Sequence, residues 1–164
     1  MKIVAYEPKF ASQIADIYNV YVRSTTISFD NDEVTASEMD ARVGAIAAGG
    51  YPCLVCVDDT TGAVAGYAYA HKWKEKPAYD TTAETTVYVA EPYHHKGVGL
   101  LLMERLIADC RKAGLHSLIA CITADNVASC SFHSKLGFEQ VSLFKSVGRK
   151  FDRWLDVVDF ELIL

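Results

Sequence analysis

The chain has 164 residues, enough for one compact domain spanning 1–164 with a substantial core and an enclosed cleft. Hydrophobic residues are 51% of the chain and charged residues 23%, and no apolar run approaches the roughly 20 residues needed to cross a bilayer, so no membrane partner is expected. The formal net charge is −5 with no clustered Lys/Arg stretch, which argues against nucleic acid as a general partner.

Met1–Tyr6 enters a short alternating pattern with no basic, apolar and small-residue succession of a secretory leader, and the expected compartment is the cytoplasm. Lys2–Tyr6 reads as a strand. Pro8 opens an apolar-periodic helix through Ile14, Ile17, Tyr18 and Tyr21. The polar stretch from Ser24 to Val34 reads as a loop. Thr35 and Glu38 have capping-box spacing for a second helix ending near Gly49-Gly50. Pro52–Val57 and Ala63–Trp73 are strands joined by the turn residues Asp58 to Gly62, and Thr82–Ala90 is a third strand of this central region.

Gly97-Val98-Gly99 opens an amphipathic helix carrying Leu101, Leu102, Leu106, Ile107 and Cys110, with Gly114 placed to end it. A strand at Ser117–Ile122, a helix at Val127–Leu136 stopped by Gly137, and strands at roughly Phe138–Val147 and Trp154–Leu162 complete the chain. The order β-α-α-β-β-β-α-β-α-β-β predicts a mixed α/β sheet. Five cysteines, an odd number mostly inside apolar segments, suit reduced thiols. Cys53 and Cys56 lie three apart in a strand and point to opposite faces, so they form no zinc half-site. The His94-His95 pair has no metal-ligand company, no metal is expected, and His71 and His116 look incidental.

The chemistry concentrates where the strand Thr82–Ala90 passes through a short turn into the helix at Gly97. Glycines let backbone approach a ligand, and the unpaired N–H groups and positive end of the helix favour a pyrophosphate. Upstream on the strand, Glu84, Thr86 and Tyr88 have period-two spacing and share one face. Asn126 and His133 are seven residues apart, about two helical turns, and also share a face.

These segments resemble the two signatures of the GNAT acetyltransferases. His94-His95-Lys96-Gly97-Val98-Gly99 stands for (Q/R)-x-x-G-x-(G/A), with His94 departing from the usual Gln or Arg. Asn126 to Phe138 is similar to N-x-x-(A/S)-x-x-(F/L)-(Y/H)-x-x-x-G-F. Gly66 to Tyr79, Glu84 to Val89, Ile17 to Val22, Thr25 to Phe29 and Val147 to Val157 resemble the phosphinothricin and methionine sulfoximine branch, with Lys76 where Arg is usual and Thr81 where an aromatic is common.

The resemblance implies the GNAT (acyl-CoA N-acyltransferase) fold, a mixed, mostly antiparallel sheet flanked by helices, and acetyl-CoA as co-substrate. It implies that the backbone of Val87, Tyr88 and Val89 holds the acetyl and pantetheine arm, His95, Lys96, Gly97, Val98, Gly99 and Leu100 the pyrophosphate, and Asn126 the cofactor's edge. Phe29, Lys74, Lys76, Tyr79, Thr86 and Tyr88 would meet the acceptor, a small amino acid or analogue, acetylation of which can confer resistance to herbicides or antibiotics. A homodimer is implied, with the C-terminal strands or substrate loops near the partner.

Acyl transfer to an amine requires loss of an ammonium proton and stabilisation of developing negative charge. Glu84 is the candidate proton acceptor. His133 can serve as base toward the amine or as acid toward the thiolate. No nucleophilic triad is apparent, which favours direct transfer in a ternary complex over an acyl-enzyme. Two other readings stand beside this one: acetylation of a different amine (a protein N-terminus, polyamine or aminoglycoside), or acetyl-CoA binding without turnover.

Overall fold

The computed structural model describes all residues, 1–164. Eight strands form one sheet: β1 (Lys2–Ala5), β2 (Cys53–Val57), β3 (Val64–Lys72), β4 (Thr82–Val89), β5 (Ser117–Thr123), β6 (Glu139–Gln140), β7 (Phe144–Lys150) and β8 (Arg153–Ile163). They are ordered β1-β2-β3-β4-β5-β8-β6, with β7 also on β8. Only β4 and β5 run parallel; every other pair is antiparallel. Four helices complete the chain: α1 (Ala11–Ser24), α2 (Ala36–Ala48), α3 (Val98–Lys112) and α4 (Val127–Lys135). The expected capping box is present, with Thr35 Oγ1 accepting from the Glu38 N–H and the Glu38 carboxylate accepting from the Thr35 N–H.

Strand alternation divides the core into two layers. Cys53, Val55, Tyr67 and Tyr69 face α1 and α2, where Ile14, Val22, Met39 and Val43 are buried. Leu54, Cys56, Ala65, Ala68 and Ala70 face α3 with its Leu102, Met103, Leu106 and Cys110. Cys53 and Cys56 therefore sit on opposite sides of the sheet, and all five cysteines are free. The small alanines on β3 let α3 lie close to the sheet. Gly66 carries this furthest, because a Cβ there would come 2.7 Å from the Tyr88 carbonyl oxygen and 3.2 Å from Leu102 Cδ1. Gly66→Ala is expected to cost about 1–3 kcal/mol, as overpacking does. Urea denaturation checks it, an unchanged midpoint counting against the packing argument.

One expected strand is interrupted. Phe138–Val147 is read from sequence as continuous, yet it forms β6 and β7 with a break at 141–143. There the Ser142 hydroxyl, a side chain, accepts from the Asp159 N–H. Further on, Ser146 adopts a φ of 54° and donates its N–H to Asp156 Oδ1, between register points Phe144 and Gly148. Serine and aspartate side chains thus substitute for ladder partners and produce a bulge. The β7–β8 turn uses Phe151 and Asp152, both at positive φ without glycine.

Candidate active site

The site forms where the parallel pair comes apart. β4 and β5 are in register only over Thr82–Glu84 opposite Ser117–Ile119. Beyond Glu84, β4 continues against β3 alone, and β5 continues against β8 alone. This leaves a wedge between them, the β5-facing edge of Thr85–Val89 without a strand partner. The wedge opens into a cavity of about 330 Å³. Glu84, Thr86 and Tyr88 line it from β4, Cys121 and Thr123 from β5, and Asn126, Ser129 and His133 from α4. Phe29 and Asp30 close it from the loop after α1.

At the far end of β4 the chain turns into α3. Gly97, the N-cap, has φ 79° and offers no side-chain cap, and His95 has φ 59°. The first helical bond runs from Leu101 N–H to the Gly97 carbonyl, so the backbone N–H groups from His95 to Leu100 meet no acceptor in the chain. Gly99 lies against Val89 and Phe132, with room for only ordinary contact. Free donors on a left-handed turn at a helix N-terminus are the chemistry that receives a pyrophosphate. The splayed edge of β4 leads directly to them, so the residues present fit an acyl-CoA. His94 ties this turn down, its Nε2 lying 3.0 Å from the Val89 carbonyl and 2.9 Å from the Tyr21 hydroxyl.

Two titratable groups reach the cavity in defined states. Burial raises the Glu84 carboxyl above the usual carboxylate range; His71 pulls it partly back and Asp159 adds to the rise. His133 is buried, between the ring edges of Phe132 and Phe138, each with centroids 5.3 Å away. Its Nδ1 lies 2.9 Å from the Ser129 carbonyl, which can only accept, so the proton is on Nδ1 and Nε2 keeps its lone pair. Burial lowers its pKa, against the pull of that hydrogen bond, and favours the neutral ring. Asn126 Oδ1 is used as the α4 N-cap, accepting from Ser129 N–H, which leaves its amide N–H groups available.

The acceptor-side loop is held from three directions. Tyr18 of α1 donates to Asp30, Arg42 of α2 donates to the same carboxylate oxygen at 3.1 Å, and buried Lys150 of β7 donates to the Ser28 carbonyl at 2.6 Å. The Phe29 ring packs on Gly148, where a Cβ would be 2.3 Å from it. The pairing was not legible in sequence: Lys150 and Ser28 are 122 residues apart.

Of the residues expected to meet the acceptor, Phe29, Thr86 and Tyr88 line the cavity with Glu84, His133, Asn126 and Val87. Lys74, Lys76 and Tyr79 do not. They lie on the β3–β4 loop outside it, where Lys74 Nζ sits 4.0 Å over the Trp73 ring and 5.2 Å from that of Tyr79. Cys121 is open to the cavity, but burial and the nearby Glu84 and Asp159 push its thiol up to about 12, which leaves it protonated rather than nucleophilic.

Residues 14–138 match the model of the acetyltransferase (GNAT) family. An L-methionine sulfoximine/L-methionine sulfone acetyltransferase of Pseudomonas paraeruginosa is 38% identical over 151 residues, covering 92% of this chain and 87% of the relative. A phosphinothricin N-acetyltransferase of Streptomyces coelicolor is 38% identical over 149 residues, covering 90% and 87%. Among solved structures, a phosphinothricin acetyltransferase from Sinorhizobium meliloti in complex with AcCoA superposes with a TM-score of 0.95 at 31% identity, over 99% of this chain and 88% of that one.

Proposed function

We infer that this chain, which belongs to the acetyltransferase (GNAT) family and is an acetyl-CoA-dependent N-acetyltransferase, acetylates the α-amino group of a small amino acid or analogue of the phosphinothricin, methionine sulfoximine or methionine sulfone type. The observation that carries this reading is the convergence of Glu84 and His133 on one cavity of about 330 Å³, a volume suited to a single amino acid. Acetyl-CoA supplies the thioester. Val87, Tyr88 and Val89 are assigned to its acyl arm, and His95, Lys96, Gly97, Val98, Gly99 and Leu100 to its pyrophosphate, with Asn126 beside it.

Glu84 takes the first proton from the acceptor's ammonium, freeing the amine lone pair. His133 Nε2, bare at rest, takes the second as the new N–C bond forms and holds it for the departing thiolate. Base and acid are thus successive states of one ring. Tyr88, whose hydroxyl is kept protonated by burial, acts as a donor. Phe29 and Thr86 bound the acceptor. Lys74, Lys76 and Tyr79, outside the cavity, are assigned to its acidic end, since their loop joins β3 to β4 just before Glu84. Lys76→Ala is expected to raise KM for the acceptor severalfold and leave KM for acetyl-CoA unchanged; an effect on acetyl-CoA alone would move Lys76 to the cofactor side.

The enzyme is assigned to the cytoplasm, in keeping with its five free cysteines, and to a homodimer. Support for the dimer is the number of exposed apolar side chains on and beside the C-terminal strands: Val141, Leu143, Phe144, Val147, Phe151 and Trp154. The deciding experiment measures CoA release and product mass across phosphinothricin, methionine sulfoximine, methionine sulfone, common amino acids, polyamines and a peptide N-terminus. Turnover confined to the first group and related amino acids supports the reading, and the same activity in cells would detoxify such analogues. Turnover only on peptide or polyamine overturns the acceptor.

A further inference from the structure

We propose that Glu84 and His71 form a proton-accepting pair through which the acceptor's ammonium proton leaves the cleft, His71 passing it to water in a second pocket on the other side of the pair. The inference rests on the reading of Glu84 given above and adds a route to it. His71 has no role assigned from sequence, but it is the register partner of Glu84 across β3 and β4, and the two side chains share a face of the sheet. Its Nδ1 lies 3.0 Å from the Lys72 carbonyl and must donate to it. In the neutral ring Nε2 is then the bare nitrogen, and it is Nε2 that faces Glu84 Oε1, at 3.9 Å. Two lone-pair atoms facing each other at this distance accommodate a proton directly on closing slightly, or through one bridging water.

The pair spans two openings. Glu84 borders the acceptor cavity and His71 does not; His71 borders a second pocket of about 420 Å³, together with Arg42, Tyr51, Tyr69 and Lys72, and Glu84 does not. An acceptor seated in the cavity displaces water from the cavity side of Glu84, whereas the second pocket stays open to solvent.

Charged groups flank the pair on both sides. Asp159 of β8 and the Cys121 thiol of β5 lie on the Glu84 side. Arg42 of α2, paired with Asp30, and Lys72 of β3, paired with Asp80 and Glu75, line the pocket beyond His71, with the Tyr69 ring centroid 5.8 Å from the imidazole. Asp159 favours arrival of the ammonium proton on Glu84.

The steps balance without any redox change. An N–H bond of the ammonium breaks as an O–H bond forms on Glu84; that O–H breaks as an N–H forms at His71 Nε2; the imidazolium then gives this proton to water and regains its resting tautomer. His71 acts through Glu84 and does not meet the acceptor.

The test uses the full-length protein with any amine that the wild type acetylates. His71→Ala and His71→Gln are expected to lower kcat at pH 7 by about tenfold or more, with KM for acetyl-CoA unchanged and the pH–kcat profile displaced. Imidazole added to His71→Ala should restore turnover in proportion to its concentration, which a purely structural loss would not allow. A wild-type kcat and profile in both variants, or a loss that imidazole leaves untouched, overturns the relay. A second readout needs no acceptor: the carboxyl ¹³C titration of Glu84 in the free protein should move upward in His71→Gln, since the downward pull of His71 is lost. An unmoved midpoint overturns the coupling. Should the wild type acetylate no amino-acid analogue, the acceptor assignment fails, while the titration and the amine actually used still decide the relay.

Discussion

Replacing Glu84 with Gln is expected to lower kcat by about 10²–10⁴-fold, the range that a positioned general base contributes, while the dissociation constant for acetyl-CoA stays within about twofold. The separation follows from geometry. Glu84 is the last β4 residue in register with β5, so it lies at the apex of the wedge, whereas the free N–H groups of His95–Leu100 lie beyond the other end of the strand. Gln is isosteric and keeps a hydrogen-bonding oxygen, so packing and cofactor binding are retained and only proton affinity is lost. The working form is the carboxylate, and burial has raised the pKa, so turnover should fall as pH drops through a value above the ordinary range for glutamate. That acid limb should vanish in the residual activity of Glu84→Gln. Steady-state kinetics with isothermal titration of CoA would check both; an unchanged kcat removes Glu84 from the mechanism.

The elements were legible to the extent that their causes are local. Thr35 and Glu38 cap α2 within three residues, Gly97 starts α3 by its own φ, and alternation in β2 separates Cys53 from Cys56. The same holds for the shared face of Glu84, Thr86 and Tyr88, and for Asn126 with His133. What could not be read depends on contacts distant in sequence. The break between β6 and β7 falls where Ser142 bonds to β8, and the bulge within β7 where Ser146 does, although the apolar pattern itself runs on. Asp30 enters the cavity because Tyr18 and Arg42 hold it, and His71 gains its partner from strand register. A lysine-rich loop suggests a cationic pocket, but Lys72 lies 3.6 Å from Asp80 and Lys74 lies over Trp73, so the loop satisfies much of its own charge.

His133→Ala is expected to lower kcat by about a hundredfold, again with little change in acetyl-CoA affinity, and His133→Phe should be as inactive while restoring the packing between Phe132 and Phe138. The pair of variants separates nitrogen chemistry from volume, because only the phenylalanine fills the space and only the native ring offers Nε2. The same residue also makes stability depend on pH. Burial holds the folded-state pKa below the 6.5 of a free histidine. Between those two values the unfolded chain binds more protons than the folded one, so stability rises with pH across that interval. The contribution is complete above 6.5 and is lost as pH falls through the folded value. In His133→Phe this part of the acid slope should disappear from urea midpoints measured from pH 7 downward, leaving the carboxylates to supply the rest. A slope identical to the wild type's would mean that folding leaves the pKa of the ring unshifted, and would withdraw the lowered proton affinity ascribed to its burial.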